Sequence, residues 1–203
     1  IMKKSKKILA VTLAMGMVAG SAGAMSRPIT LADQGSFFAG GKVVTAPGVY
    51  KDDEPTNFAG ETLHGDAAYV FWQVPVKAKK NALVFLHGYG QSGKTWETTP
   101  DGRDGFQNIF LAKGYKTFIV DEPRRGRAGN STIPAELKAQ PQDQLWYDNF
   151  RIGQWPDYYD NAAVPRDAES RAQFFYQMTP DTGKFDVQVV ADAMTAVMEK
   201  SGD

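Results

Sequence analysis

The stretch ALVFLHGYGQS at residues 82–92 constrains this chain most. An unbroken apolar run, Ala82–Leu86, stops at His87 and Gly88, and a glycine-rich turn follows. Such a run ahead of a turn is typical of a strand that is buried on both faces of a sheet. The turn therefore lies where a sheet can present backbone N–H groups to a ligand, and two unrelated kinds of site use turns of this composition.

The first kind of site binds phosphates. Extended to residue 95, the turn matches the P-loop pattern G-x-x-x-x-G-K-[ST] at Gly88, Gly93, Lys94 and Thr95. A phosphate site of this type needs a helix that begins at Lys94. Pro100 follows within two turns, and a proline inside a helix costs about 3 kcal/mol. A P-loop nucleotide-binding protein is therefore kept as an alternative only.

Residues 1–24 have the composition of a secretory signal peptide. Four lysines precede an apolar stretch, which ends in the small residues Ala22, Gly23 and Ala24. The apolar stretch is shorter than the roughly 20 residues that a membrane-spanning helix needs. We therefore expect a bacterial protein that is secreted or periplasmic, cleaved after about Ala24, with no stable membrane anchor.

Charge and cysteine content limit the partners of the remaining chain. Once the four lysines are removed with the signal segment, 19 basic and 23 acidic side chains remain, which is a net charge of −4. This balance gives no reason to expect nucleic acid or an anionic membrane as a partner. The sequence has no cysteine, so an exported chain of this kind depends on its core rather than on disulfides.

The residue pattern predicts an α/β fold, with a mostly parallel sheet and flanking helices. Residues 82–86 and 117–120 have the character of buried strands, and residues 105–113 between them have that of a helix. Strand, helix and strand at this spacing form a βαβ unit, whose strands pair in parallel. Residues 66–76 and 42–50 are also predicted to be strands.

The two ends of the chain after the signal segment are predicted to differ. Residues 26–39 are expected to be irregular. Residues 186–200 are expected to form a helix, capped by Asp186 and ended by Gly202. Its apolar residues recur at helical spacing and predict one buried stripe: Val187, Val190, Ala191, Met194, Val197 and Met198.

Residues 134–180 differ from the rest of the chain and are called the aromatic segment below. They are rich in proline, glutamine, aspartate and aromatic residues and lack clean periodicity. We interpret them as a cap-like insertion that lies over the sheet. Trp146 and Trp155 are candidates to line an apolar pocket, and packing of the segment onto the sheet is an equally good interpretation.

Three sequence blocks together resemble a known family. They are HGYGQSG at 87–93, WETTPDGRDGFQ at 96–107 and VDEPRRGRAGNST at 120–132. They resemble the secreted bacterial esterase branch of the α/β-hydrolase superfamily, and the resemblance extends over residues 37–203. It implies a serine hydrolase that attacks a small carboxylic ester through an acyl-enzyme intermediate, without a metal or organic cofactor.

The resemblance also assigns a role to the glycine turn. In this family the loop after the third strand supplies backbone N–H groups that stabilise the oxyanion formed on the substrate. Tyr89 and Gly90 are the candidate donors here. One such donor contributes about 3–4 kcal/mol to lowering the barrier.

The sequence departs from the family at the nucleophile. It contains no G-x-S-x-G motif, and its two histidines, His64 and His87, do not follow a plausible acid. We therefore expect the N-terminal part of an α/β-hydrolase domain, truncated before the nucleophile elbow, without the catalytic Ser, acid and His and inactive alone. Ser92 lies in the wrong loop for a nucleophile, and His87 is expected to fix the turn. A non-catalytic secreted binding module stays open as a third possibility.

The charged residues after the second buried strand allow two interpretations. Arg124 and Arg125 could bind a substrate carboxylate or phosphate bidentately. Such arginines also pair with nearby acids and fix a loop. Asp121, at the end of the strand, is expected to cap the following turn.

Overall fold

The computed structural model describes residues 28–202, so the predicted signal peptide lies outside the described residues. A four-stranded sheet has the spatial order β1-β2-β4-β3. Its strands are β1 (Leu31–Thr45), β2 (Thr62–Pro75), β3 (Ala82–Leu86) and β4 (Lys116–Asp121). Helix α1 (Phe106–Ala112) connects β3 to β4, and a long helix, α4 (Val187–Ser201), follows the aromatic segment. No helix within residues 28–202 is long and apolar enough to cross a membrane.

The sheet is mixed. Strands β1 and β2 form a long antiparallel hairpin, β2 is also antiparallel to β4, and β3 is parallel to β4. The α/β class is therefore confirmed, and the βαβ unit has the expected parallel pair. Parallel pairing does not predominate among the described strands, because β2 is antiparallel to both of its neighbours, β1 and β4.

Strand β1 begins at Leu31, where an irregular segment was expected. Its inward and outward residues alternate: Ala39 is buried, whereas Phe38 is 56% exposed. Glycines and polar residues hide this alternation in the sequence. Pairing along almost the whole of β2 stabilises the strand, and this interaction is not visible in the local pattern.

The main core lies between the sheet and helix α4. Ala193 and Val197 of the helix pack on Val70 and Val120 of the sheet, with Phe118 beside them. The opposite face of the sheet carries α1 and the turns that follow β3 and β4. The site-bearing turns therefore have a rigid sheet beneath them.

Helix α4 is present as expected, capped by the Asp186 carboxylate and followed by Gly202 in the left-handed region. Its buried face is rotated from the predicted stripe, since Val187 is 71% exposed and Met198 is 45% exposed. Gly40 of β1 explains the rotation. A Cβ at Gly40 would lie 2.7 Å from Ala193 Cα, so the closest approach selects a small residue rather than a large apolar one.

The aromatic segment has a small core of its own. Its elements are helix α2 (Asp143–Asn149), the two-stranded hairpin β5 (Gly153–Gln154) and β6 (Asp157–Tyr158), and helix α3 (Ala168–Tyr176). Tyr147, Ile152 and Phe174 are buried at its centre. Rings packed edge to face surround Tyr147, at centroid distances of 5.3 Å to both Trp155 and Tyr158.

Candidate active site

The glycine turn follows β3 directly and is shaped by Gly90. This residue has φ +69°, and a Cβ there would lie 3.0 Å from both Met178 Cε and Trp146 Cη2. Any other residue at this position would therefore have a strained backbone, and its Cβ would make tight contacts with the aromatic segment. The carbonyl of Gly90 accepts a hydrogen bond of 2.9 Å from the N–H of Thr179.

The carbonyl of Gly88 fixes the other side of the turn. It accepts hydrogen bonds from Gln91 N–H at 3.2 Å, from Arg125 Nη1 at 3.1 Å and from His87 Nδ1 at 3.0 Å. The Gly88 carbonyl and the Tyr89 N–H belong to one planar trans peptide and point in opposite directions. Holding the carbonyl therefore turns the Tyr89 N–H away from these three donors.

Two neighbouring N–H groups of the turn have no acceptor. Within residues 28–202, neither Tyr89 N–H nor Gly90 N–H makes a hydrogen bond. Both residues line a cavity of about 370 Å³ between the turn and the aromatic segment. The aromatic segment contributes Trp146 and Met178 to the lining, together with polar side chains that include Gln142 and Asp143. The arrangement offers unused backbone donors to a small ligand with a partly charged oxygen.

His87 fixes the turn, as expected. Its ring is buried. Nε2 accepts a hydrogen bond of 3.0 Å from Glu122 N–H, so the ring proton lies on Nδ1, which faces the Gly88 carbonyl. Because both nitrogens are engaged, His87 is not placed to act as a base for Ser92.

Asp121 joins the two turns at the end of the sheet. Its buried carboxylate accepts hydrogen bonds from Gly93 N–H at 2.6 Å and from the N–H and Nε of Arg127, both at 2.8 Å. Burial raises the pKa of Asp121, but the hydrogen bonds from Arg127 and Gly93 together outweigh it, and the pKa lies below its ordinary value. This is the turn-capping role that the sequence predicted.

The geometry of residues 88–95 does not support the P-loop alternative. Gly93–Trp96 forms a single 3-10 turn rather than the start of an α-helix. The Lys94 ammonium donates to the Thr98 carbonyl at 2.7 Å, and Gly93 N–H is bound to Asp121. Two of the groups that would hold phosphates, the Lys94 ammonium and the Gly93 N–H, are thus bound within the chain.

Arg124 pairs with a nearby acid, which is the second of the two interpretations of these arginines, and a substrate contact of Arg124 stays a prediction. Its buried guanidinium forms a bidentate ion pair with Asp66, with Nε–Oδ1 of 2.8 Å and Nη2–Oδ2 of 2.9 Å. Its Nη1 also donates to the Lys184 carbonyl. The Arg124 hydrogen bonds hold the pKa of Asp66 well below its usual range. Arg124 is not among the residues that line the cavity.

Arg125 lies next to the cavity but faces the protein. Its Nη1 donates to the Gly88 carbonyl, its Nη2 forms an ion pair with Asp181, and its guanidinium lies 5.4 Å from the centre of the Tyr89 ring. Asp181 and Tyr89 themselves line the cavity. The guanidinium therefore supports the cavity wall from behind.

The two candidate tryptophans have different places. Trp146 lines the cavity, with its ring centre 5.7 Å from that of Tyr89. Trp155 is not among the lining residues; it packs on Tyr147 and Phe175 inside the aromatic segment. Each of the two interpretations of the aromatic residues thus applies to one tryptophan.

Met178, Thr179 and Asp181 were not predicted. Met178 and Thr179 contact the turn, and Asp181 pairs with Arg125, from about 90 positions further along the chain than the turn. The single hint in the sequence is that a pair of buried arginines requires acids, and Asp181 was one of many candidates. No motif marks the other two.

Comparisons with known proteins agree with the motifs. No family model matches the chain. Residues of this chain are 35% identical over 86 positions to a probable secreted lipase from Fungal sp. (strain ATCC 74256), an alignment that covers 36% of this chain and 23% of the lipase. A solved structure of a bacterial esterase superposes with a TM-score of 0.70 and 31% identity, over 87% of this chain and 58% of that chain. The chain thus spans under two thirds of the length of either protein.

Proposed function

We propose, from the premise that this chain is a relative of the esterases in sequence and fold, that it forms the oxyanion-binding part of an exported carboxylic-ester hydrolase. The family relationship rests on the bacterial esterase structure and the secreted lipase. The finer assignment depends on the glycine turn. Its support is one observation: the adjacent N–H groups of Tyr89 and Gly90 lack acceptors among residues 28–202, and both residues border a cavity.

The chemistry of ester hydrolysis uses donors of this kind. When a nucleophile attacks an ester carbonyl, the carbonyl oxygen becomes an anion. Backbone N–H groups that are already fixed stabilise this anion without reorganising, and each contributes about 3–4 kcal/mol. In this chain three donors hold the Gly88 carbonyl, which shares a peptide plane with the Tyr89 N–H. Thr179 holds the Gly90 carbonyl, in the peptide that follows the Gly90 N–H, so the backbone is fixed on both sides of the two donors.

The remaining catalytic groups are proposed to lie outside this chain. The sequence has no G-x-S-x-G motif, and His87 is engaged through both ring nitrogens. The aromatic segment is proposed to act as a cap, because Trp146 and Met178 cover the glycine turn. The basic and apolar residues 1–24 and the secreted relative support export.

A titration with methylphosphonate, a tetrahedral anion, tests this function on the ¹⁵N-labelled chain. We expect saturable shifts of the Tyr89 and Gly90 amide signals, because these donors are unoccupied. The amide of Gly93 is the internal control and should stay in place, because it is bound to Asp121. In p-nitrophenyl acetate assays, the chain should show no turnover above its Ser92→Ala variant.

Two results would contradict the proposal. Turnover that Ser92→Ala abolishes would make Ser92 a nucleophile and this chain a complete catalyst. A rise in melting temperature with ATP and Mg²⁺ that Lys94→Ala removes, without a response of the Tyr89 amide to methylphosphonate, would restore the nucleotide-binding interpretation.

A further inference from the structure

We propose that Arg125 is a positioning residue for the oxyanion donors and that Asp181, at the exit of the aromatic segment, holds it in place. This inference rests on the proposed function, since it concerns the orientation of the same donors. It assigns Arg125 a role through the Gly88–Tyr89 peptide and not through direct contact with the substrate.

Gly88 gives the Gly88–Tyr89 peptide more backbone freedom than another residue would. A Cβ at Gly88 would meet only the Gln91 side chain, at 3.5 Å, so the surroundings of Gly88 are open. Glycine also lacks the backbone restrictions of other residues. Tyr89 lines the cavity, and rotation of this peptide would change the direction of its N–H. The hydrogen bonds to the Gly88 carbonyl therefore decide which way the donor points.

Arg125 is suited to hold this carbonyl. Its guanidinium is buried and reaches two acceptors at once, the Gly88 carbonyl and the Asp181 carboxylate. Arginine presents its donors in a rigid planar fork, whereas lysine is a single flexible point charge. A lysine at position 125 would keep the positive charge but could not hold both acceptors in this geometry.

The ion pair also connects the donors to the aromatic segment. Thr179 N–H holds the Gly90 carbonyl, and Asp181, two residues later, holds Arg125. The carbonyls on both sides of the donor amides are thus fixed by the same short stretch. The donors are correctly oriented when this stretch is docked on the turn.

Two substitutions separate positioning from general electrostatics. Arg125→Lys preserves charge, and Asp181→Asn removes a negative charge beside the cavity. Electrostatics alone would leave methylphosphonate binding unchanged in the first variant and strengthen it in the second. Positioning predicts that both variants bind methylphosphonate about tenfold more weakly, since each loses a charge-assisted hydrogen bond. The Tyr89 amide signal should also move in both variants before any ligand is added.

The matched controls are Arg103→Lys and Asp101→Asn, which alter an exposed ion pair with an Nε–Oδ2 distance of 2.6 Å. Neither should change the affinity or the Tyr89 signal. If Arg125→Lys fails to fold, Asp181→Asn decides, because Asp181 is partly exposed. Wild-type affinity in the folded variants would overturn this inference and leave the proposed function intact. If the Tyr89 and Gly90 amide signals of the wild-type chain do not shift when methylphosphonate is added, the proposed function itself is contradicted.

Discussion

The buried carboxylates of the sheet framework and the buried tyrosine hydroxyls of the aromatic segment are held in different ways. In the framework, which comprises residues 31–133 and helix α4, the carboxylates of Asp66 and Asp121 are buried and each accepts several hydrogen bonds. In the aromatic segment, the hydroxyls of Tyr147 and Tyr158 are buried with no partner within residues 28–202. The framework also has buried atoms without a partner in that range, Trp96 Nε1, Thr117 Oγ1 and Arg125 Nε, but its two buried carboxylates are paired. Directional bonds fix the turns around the site, whereas nondirectional ring packing holds the segment that covers it.

The largest expected effect comes from the framework. Asp66→Asn leaves the buried Arg124 guanidinium without its counter-charge, which should destabilise the chain by about 3–5 kcal/mol. Asp66 has φ +61°, and asparagine tolerates this backbone region, so the substitution removes charge without adding backbone strain. Urea unfolding followed by far-UV circular dichroism measures the change. The control is Asp101→Asn, in an exposed ion pair, which should lower the stability by under about 1 kcal/mol. An equal loss of stability in Asp66→Asn and Asp101→Asn would contradict the importance given to the buried carboxylates.

Acid should act on the same carboxylates, with a smaller effect. The pKa values of Asp66 and Asp121 are lower in the folded chain than the ordinary value of about 3.9. Their stabilisation is therefore complete above about pH 4 and is lost progressively as the pH falls below it. Unfolding curves between pH 7 and pH 2 should show this loss, and Asp66→Asn should flatten it. An equally steep loss in that variant would show that other groups cause the acid sensitivity.

The smallest expected effect concerns the aromatic segment and has the opposite sign. Tyr147→Phe removes a buried hydroxyl that has no partner in the described part of the chain, so the stability of the segment should rise by up to about 1 kcal/mol. Hydrogen exchange of the α2 and α3 amides, measured by mass spectrometry, should slow accordingly. Tyr176→Phe is the control, because Tyr176 is 82% exposed on α3. A loss of stability in Tyr147→Phe would mean that the hydroxyl has an acceptor after all, and the contrast with the framework would disappear.

The parts of the fold that the sequence predicted are those with local signals. Strand β3, helix α1 and strand β4 agree with the apolar runs and the glycine stop within one residue at each end. The strand predicted at residues 42–50 overlaps β1 only at residues 42–45, and the rest of β1 was missed because its stability comes from pairing with β2. The buried face of α4 was misplaced because close approach at Gly40 favours Ala193, and hydrophobic spacing carries no information on closeness.

The candidate site was predictable to a similar extent. The motif located Tyr89 and Gly90 at the cavity, and their role as donors stays a prediction. The sequence could not distinguish the roles of the two neighbouring arginines, because each role depends on the acid that the arginine meets. Arg124 pairs with Asp66, and Arg125 pairs with Asp181. Which acid each one meets depends on how the aromatic segment returns to the sheet, and the aperiodic sequence of that segment does not encode this locally.

Residues 178–181, where the aromatic segment returns to the glycine turn, set a boundary for protein engineering. A graft that replaces the aromatic segment with its counterpart from a relative should end before Met178, so that Thr179 and Asp181 stay with the turn that they support. Substrate specificity could then be altered through the cavity residues around Trp146, while the geometry of the donor N–H groups stays unchanged. A graft that also replaced residues 178–181 would remove the contacts that hold the glycine turn, and the orientation of its N–H groups would be lost.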